Sequence, residues 1–497
     1  MEGYPFVHRF KTEGNYYIYD VNTNCIFCVD EITYALMEDY GTLISNQIIN
    51  KHKVKVNSKI LVDKLNIIEK KIEENKIFSS HRPKTLKFAD SLQTIRHKLD
   101  SGIEYIILNI TDQCNMRCTY CTYSGTYADE RTHSNRYMSF EIAQKAVDFY
   151  ILHSSESKKR LVIFYGGEPL LNIKLIKDIV NYINKKYKNI VIDFNLNTNG
   201  VLLDQNVINF LIENKFSISV SLNGPRQMHD KHRILKNGTG TFDKVVQNLK
   251  MLKQHDQEYY NKAVTFIVTI APSFNLVELE RFFSSFDLMT ANNLLVTYVN
   301  DRDTTFFDLY DADPLDPKIE EYHRILTDKY IEEAIAEKIH ENKFLDGLYK
   351  HRIQPIIDRR REHLSDVHCP KGICIPGTGR LFVSTKGDLF ICERMGEHIC
   401  VGNVKRGFDL EAIFGLMEKW RSIIEKECIN CWALRLCKLC FVQARKGEKL
   451  DVKRLKECCG ETRKSIDQAL RIFTSVMEKN NNAFRYMKSI SNPYTKV

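Results

Sequence analysis

From residue 104 to about 300 the chain repeats one rhythm. Six apolar, β-branched runs appear: EYIILNI, RLVIFYGG, NIVIDFNLNTNG, FSISVSLNG, AVTFIVTIA and NLLVTYVN. Between them lie SFEIAQKAVDFYIL, NIKLIKDIVNYINKKY, DQNVINFLIENK, TFDKVVQNLKML and NLVELERFFSSF, whose apolar positions recur at helical spacing. Six strand–helix units predict a parallel sheet, curved into an α/β fold of the partial (β/α)6 TIM-like barrel kind. In such barrels chemistry gathers at the C-terminal ends of the strands. CNMRCTYC, Tyr165 with GGEP, NTNG and SLNG follow the first four strands in turn, so the candidate chemistry falls there.

The flanks have other patterns. In residues 1–78, FVHRFK, NYYIYDV and NCIFCVD read as short strands, and EITYALMEDY and SKILVDKLNIIEKKIEENK as helices. That order predicts a small winged-helix-like domain. Residues 79–103 read as a polar linker and 301–365 as a charged, mainly helical bridge; Arg359, Arg360 and Arg361 within it read as a solvated helix face. Residues 366–465 are cysteine-rich with little periodicity, so bound metal is expected to hold them together. Residues 466–497 read as a C-terminal helix ending in a mobile tail from about 480.

Composition narrows the class. No run of eighteen apolar residues occurs and the N-terminus has no apolar signal region, which predicts a cytoplasmic protein with no membrane contact. A net charge of +9 over 497 residues is no nucleic-acid footprint. Fifteen cysteines are the unusual feature. Once Cys25, Cys28, Cys400 and one of the pair Cys458/Cys459 are set aside, the remaining eleven fall in two zones, 114–121 and 369–459. Clustered thiols in a reducing compartment point to metal.

Cys114, Cys118 and Cys121 are spaced C-x3-C-x2-C, with no fourth cysteine or histidine close behind. Structural zinc takes four ligands, and so does a cubane iron–sulfur cluster. Three thiolates therefore leave one iron of a cubane open to a small chelating molecule, or need a distant residue to complete a zinc site. GGEP at 166–169 ends a strand; its glycines let backbone approach a ligand and Glu168 offers acceptors.

C-x3-C-x-aromatic-C after the first strand, with GGEP after the second, resembles the radical S-adenosylmethionine (SAM) superfamily over residues 104–300. The resemblance implies that Cys114, Cys118 and Cys121 hold a [4Fe–4S] cluster whose open iron binds SAM. It places Tyr120 near the adenine and gives Gly166, Gly167 and Glu168, with Pro169 fixing the turn, to the SAM ammonium. Ser221 and Asn223 match an S-x-D segment that touches ribose and carboxylate, with Asn in place of the usual Asp.

The second zone runs Cys369, Cys374, Gly387, Cys392, then Cys428-x2-Cys431-x5-Cys437-x2-Cys440, then Cys458-Cys459. Locally it fits a zinc ribbon. After such a barrel it resembles the SPASM domain, which carries two auxiliary [4Fe–4S] clusters, three in all. The resemblance implies Cys369, Cys374, Cys392 and Cys440 for the first, and Cys428, Cys431, Cys437 and Cys458 for the second, with Cys459 as the substitute for Cys458. Glu393 follows Cys392, where sulfatase-maturing relatives place a carboxylate base, and is the candidate catalytic base. Cys400 has no patterned partner and is expected to be a buried small hydrophobe. In a strand, Cys25 and Cys28 face opposite sides and do not chelate one ion.

The opening HRFK…GNYYIYDVNTNCIFCVDEITYALMEDYG resembles that of radical SAM maturases of ribosomal cysteine-rich peptides. The implied activity is thioether formation in a ribosomal precursor peptide whose leader adds as a strand to the N-terminal domain. A low-potential donor such as flavodoxin or ferredoxin would supply electrons. The alternatives are oxidation of Cys or Ser to formylglycine, carbon–carbon crosslinking of a peptide, and a zinc-binding protein contacting nucleic acid. Against the formylglycine reading, those enzymes resemble one another in a Gln before GGEP, where Tyr165 stands here.

Overall fold

The strands Tyr105–Thr111, Leu161–Gly166, Asp193–Thr198, Ser217–Ser221, Val264–Ile270 and Leu294–Tyr298 lie side by side in chain order, every neighbouring pair parallel. The computed structural model describes residues 3–87, 91–272, 274–289, 294–309, 318–370 and 374–489. The six predicted runs are thus the six strands of a partial barrel. Tyr105–Thr111 is buried at every position, which is why its sequence is apolar without alternation. The helices between strands begin at side-chain caps: Ser139 accepts from Ile142 N, Asp204 from Val207 N, and Asn275 from Val277 N and Glu278 N.

The sheet does not stop at the barrel. Leu381–Val383 adds parallel to Tyr105–Thr111, with Phe382 opposite Ile107, and Asp388–Phe390, Cys400–Asn403 and Gly407–Phe408 continue it antiparallel to ten strands. The cysteine-rich zone, expected to be held together by bound metal, also buries apolar residues. Leu381, Phe382, Val383, Leu389 and Trp420 are buried, and Leu410–Cys428 is a helix. The strands are only two to four residues long, too short to show alternation in the sequence.

Three further expectations change. Cys400 is exposed, its thiol donating to Gly402 O at 3.1 Å, because it sits at the start of a strand near the sheet's edge. Arg359 lies beyond the helix Lys343–Ile357; it donates to Asn24 O at 3.1 Å and to Ile356 O, and so ties the bridge to the N-terminal sheet. Residues 480–487 are packed, with Ala483, Phe484 and Met487 buried; residues 490–497 lie outside the described residues.

The N-terminal sheet is antiparallel, in the order Val7–Lys11, Tyr16–Asp20, Cys25–Val29. It packs on the helices Glu31–Asp39, Ser45–His52 and Ser58–Asn75 through Ile18, Leu36, Met37, Ile48, Leu61, Leu65, Ile68 and Phe78. Its first strands are pinned to the 28-residue helix Val452–Lys479: His8 Nε2 lies 2.7 Å from Asp467, Tyr17 OH donates to Glu478 at 2.7 Å, and Arg471 donates to Lys11 O at 2.6 Å. His8 also stacks on Trp432, centroids 3.6 Å apart. Cys25–Val29, the other edge strand of this sheet, is not part of these contacts. Among the described residues no helix is long and apolar enough to cross a membrane.

Candidate functional site

The loop after Tyr105–Thr111 carries Cys114, Cys118 and Cys121 and is laid on residues 232–234. Arg117 N donates to Ile234 O at 2.8 Å, Thr119 N to His232 O at 3.0 Å, and the Thr119 hydroxyl pairs with His232 Nδ1 at 2.8 Å. Asp112, fully buried at its start, is held by Arg136 at 2.6 Å and Arg131 at 3.2 Å. The thiols already receive backbone hydrogen bonds: Met116 N to Cys114 Sγ and Tyr123 N to Cys121 Sγ, both 3.4 Å.

Burial pushes the Cys114 thiol up to about 12, with Glu168, Cys118 and Cys121 adding to the shift. Burial and the neighbouring Cys118 push Cys121 up to about 11. A compensating charge is built in. Arg233, itself buried, lowers both Cys118 and Cys121. Three thiols beside one buried guanidinium suit a group that binds as thiolates and leaves net negative charge. Among the described residues no three His, Cys, Asp or Glu side chains close round a single ion. A cubane does not require such closure, because its thiolates attach to separate irons.

GGEP turns out to serve the cysteine loop directly. A Cβ on Gly166 would meet Thr111 O at 2.4 Å, and one on Gly167 would meet Gln113 O at 2.3 Å. Gly167 N donates to Thr111 O at 2.8 Å and Glu168 N to Gln113 O at 2.9 Å. The glycines therefore admit the close approach of the loop's own backbone. Glu168 is fully buried and accepts from the Thr198 hydroxyl at 2.8 Å, Asn199 N at 2.7 Å and Leu170 N at 3.1 Å. Burial raises its pKa despite these donors. Pro169 opens the short 3₁₀ turn that follows.

Ser221 ends the fourth strand. Asn223 is buried; its amide donates to Tyr120 OH at 2.7 Å and its oxygen accepts from Thr269 N at 3.0 Å. An Asp there could accept from Thr269 but could not donate to the tyrosine while ionised. Arg233 Nη1 also donates to Tyr120 OH, at 3.0 Å. Tyr120, Asn223 and Arg233 are thus one network beside the thiols. Arg233 was not anticipated, because HDKHRIL carries no period or spacing that marks one basic residue as buried.

In the second zone, Cys374, Cys392 and Cys440 are neighbours. Burial, then Cys440, pushes Cys374 up to about 11; burial, then Glu393 and Cys374, pushes Cys392 up to about 12. Cys369 is exposed, after the strand Val367–His368. Cys428, Cys431, Cys437 and Cys459 line one small cavity. The Cys428, Cys437 and Cys459 thiols are raised, each first by burial and then with other members of the set contributing.

Cys458 is not in that set. It lines a different and larger cavity, where Arg302 donates to its sulfur and its thiol lies 3.4 Å from Gln443 O. Consecutive residues of the helix Val452–Lys479 point about 100° apart, so only one of the pair can face the other three thiols. Cys459 lines the cavity of the other three thiols, and Cys458, the expected fourth member, lines the other cavity.

That larger cavity, about 510 Å³, lies between the zones. Its wall includes Tyr123, two residues past Cys121; Tyr165, just before GGEP; Tyr298 and Asn300 at the sixth strand; and Glu393, next to Cys392. Glu393 accepts from Arg380 at 2.6 Å through one oxygen, while the other is buried with no hydrogen-bond partner among the described residues. Tyr123, burial and Glu393 together hold Tyr165 well above the usual phenol range.

The family model described as the radical SAM superfamily matches residues 108–285. An uncharacterized protein of Methanocaldococcus jannaschii is 27% identical over 303 residues, 61% of this chain and 89% of that one. A cysteine-type anaerobic sulfatase-maturating enzyme of Clostridium novyi is 30% identical over 162 residues, 32% of this chain and 42% of that enzyme. The match thus spans less than half of that enzyme's length. A solved structure, native anSMEcpe with bound AdoMet and Cp18Cys peptide, superposes with a TM-score of 0.55 at 20% identity, over 78% of this chain and all of that one.

Proposed function

Because this protein is a radical SAM enzyme whose relatives include anaerobic sulfatase-maturating enzymes, we propose that it forms thioether crosslinks in a ribosomally made precursor peptide. The observation that carries the reading is the cavity joining Tyr123, beside the first thiol group, to Glu393, beside Cys392. It offers a polypeptide a place between a radical source and an electron acceptor.

Cys114, Cys118 and Cys121 would hold the SAM-binding [4Fe–4S] cluster, Cys374, Cys392 and Cys440 with Cys369 a first auxiliary one, and Cys428, Cys431, Cys437 and Cys459 a second. Bound SAM and its cluster would supply, on one-electron reduction by a flavodoxin- or ferredoxin-like donor, a radical able to take hydrogen from an unactivated C–H bond. Tyr120, Asn223 and Arg233 fix the loop that holds the thiols, and Glu168 locks the ends of the second and third strands together through Thr198 and Asn199. Glu393 accepts the proton of the incoming cysteine thiol at its unpartnered oxygen, and Arg380 orients it through the other. Each crosslink removes two hydrogens from the peptide.

The N-terminal sheet would hold the leader. Its edge strand Cys25–Val29 faces helix Ser58–Asn75, where Lys64 pairs with Asp30 at 2.7 Å and Ile60 and Ile67 on the same stripe are about half exposed. An extended leader adds to the strand edge and covers those side chains. Holding the leader raises the effective concentration of the core peptide.

A formylglycine activity is the second reading, favoured by the sulfatase-maturating relatives. One experiment separates them. The enzyme is purified without oxygen and incubated with SAM, reductant and a cysteine-rich peptide encoded beside its gene. Mass spectrometry should show a loss of two hydrogens per crosslink, with the cysteines no longer alkylable. An aldehyde trapped by a hydrazine reagent would favour the second reading instead. E393Q should lower product roughly 100-fold, the range of one general base; full product would remove Glu393 from the mechanism.

A further inference from the structure

Resting on the assignment of Cys428, Cys431, Cys437 and Cys459 to an auxiliary [4Fe–4S] cluster, we infer that the Trp420 indole N–H donates a hydrogen bond to a sulfur of that cluster and sets its reduction potential. Trp420 is 1% exposed, and its Nε1 is buried with no hydrogen-bond partner among the described residues. Buried indole N–H groups nearly always find an acceptor, and a phenylalanine would fill an apolar site without stranding a donor.

The helix Leu410–Cys428 carries Trp420, Ile424 and Cys428 four residues apart, hence on one stripe, and all three line the cavity shared by the four thiols. Much of the rest of its wall is apolar: Ala433, Leu434, Leu439 and Leu455 have no side-chain acceptor. Glu427 is engaged by Lys456 at 3.0 Å. Apart from Glu427 and the Thr462 hydroxyl, the side-chain acceptors at this wall are the sulfurs, which accept more strongly as thiolates and sulfides. Arg463 stands by Cys437 and Cys459 and lowers both thiols, so it supplies a cation. Trp420 adds a dipole without charge.

A hydrogen bond donated to sulfur favours the more negative, reduced cluster and raises its potential. Trp420 is thus a positioning residue for electron flow, acting through the cluster and not on the peptide.

The test uses full-length holoenzyme purified without oxygen. Wild type, W420F and a protein with benzothienylalanine at position 420, in which sulfur replaces the N–H, are compared by iron content and by redox titration followed by EPR. C459A identifies which signal belongs to this cluster. Both replacements should keep wild-type iron, move that one midpoint to a more negative potential, and remove an exchangeable-deuteron coupling seen in wild type. An unmoved midpoint with the coupling retained overturns the inference and leaves the proposed function standing. If C459A alters neither iron nor any EPR signal, the cluster assignment fails and the inference fails with it. Should W420F lose the cluster by loosening the core, the near-isosteric benzothienyl protein decides.

Discussion

Cys458 and Cys459 give the sharpest test of the structure, because they are neighbours in sequence and part company in space. Both lie in the helix Val452–Lys479. Cys459 joins Cys428, Cys431 and Cys437 at one cavity; Cys458 meets Arg302 and Gln443 at the other. The three proposed [4Fe–4S] clusters would amount to about twelve irons per chain. On that assignment C459A leaves three thiols for four corners of the second auxiliary cluster, so iron should fall toward about eight, with the helix intact. On the same assignment C458A removes a buried thiol that would serve no cluster. It should keep about twelve irons and cost about 1 kcal/mol of stability, since Arg302 retains Glu461 at 2.9 Å. The assay is iron and sulfide analysis of anoxically reconstituted protein, with EPR of the reduced state and urea unfolding alongside. If C458A loses four irons while C459A keeps them, the helix is rotated by about 100° from the orientation described here and the ligand assignment is wrong.

G167A should drive the cysteine loop off the second strand, because its Cβ would sit 2.3 Å from Gln113 O; the barrel cluster and reductive SAM cleavage, read as 5′-deoxyadenosine by chromatography, should both be lost. F382A empties a fully buried site against Ile107 and Phe390, so it should destabilise the fold by about 3–5 kcal/mol in denaturant unfolding. Tyr165 leans on Phe382 at 6.3 Å, so product per 5′-deoxyadenosine should also fall. I67E should weaken binding of a labelled leader peptide at least about threefold by fluorescence anisotropy, since covering the exposed half of an isoleucine is worth about 0.75–1.5 kcal/mol. Unchanged affinity would remove the helix Ser58–Asn75 from leader recognition.

The barrel was legible because its strands are long and buried on both faces, so they stand out as continuous runs between helical periods. The first thiol group was legible because all its members lie on one loop. The Cys458/Cys459 choice was not, since spacing alone says nothing about which way a helix is turned. The hairpins of the second zone were hidden by their shortness, and their apolar residues become informative only once Leu381–Val383 is placed beside Tyr105–Thr111. The roles of Gly166 and Gly167 illustrate the same limit. Sequence marks where a side chain is excluded, but the excluding atoms belong to Thr111 and Gln113, on another strand's loop.

The continuous sheet has a consequence for how the two ends of the cavity cooperate. Ile107, Phe382 and Phe390 stand at one level of the ladder. From Ile107 the barrel strand climbs four residues to Thr111 and the first thiol loop, a rise of about 13 Å at about 3.3 Å per residue. Phe390 closes the antiparallel strand Asp388–Phe390, and Cys392 follows it across a bend at Ile391. The first thiol loop and Cys392 therefore both leave strands of one hydrogen-bonded sheet. A ladder resists the sliding and hinge motions that a linker between separate domains would permit. On the proposed reading, the sheet fixes how the two thiol groups sit relative to each other, and a peptide substrate is the part that would move from one modification to the next.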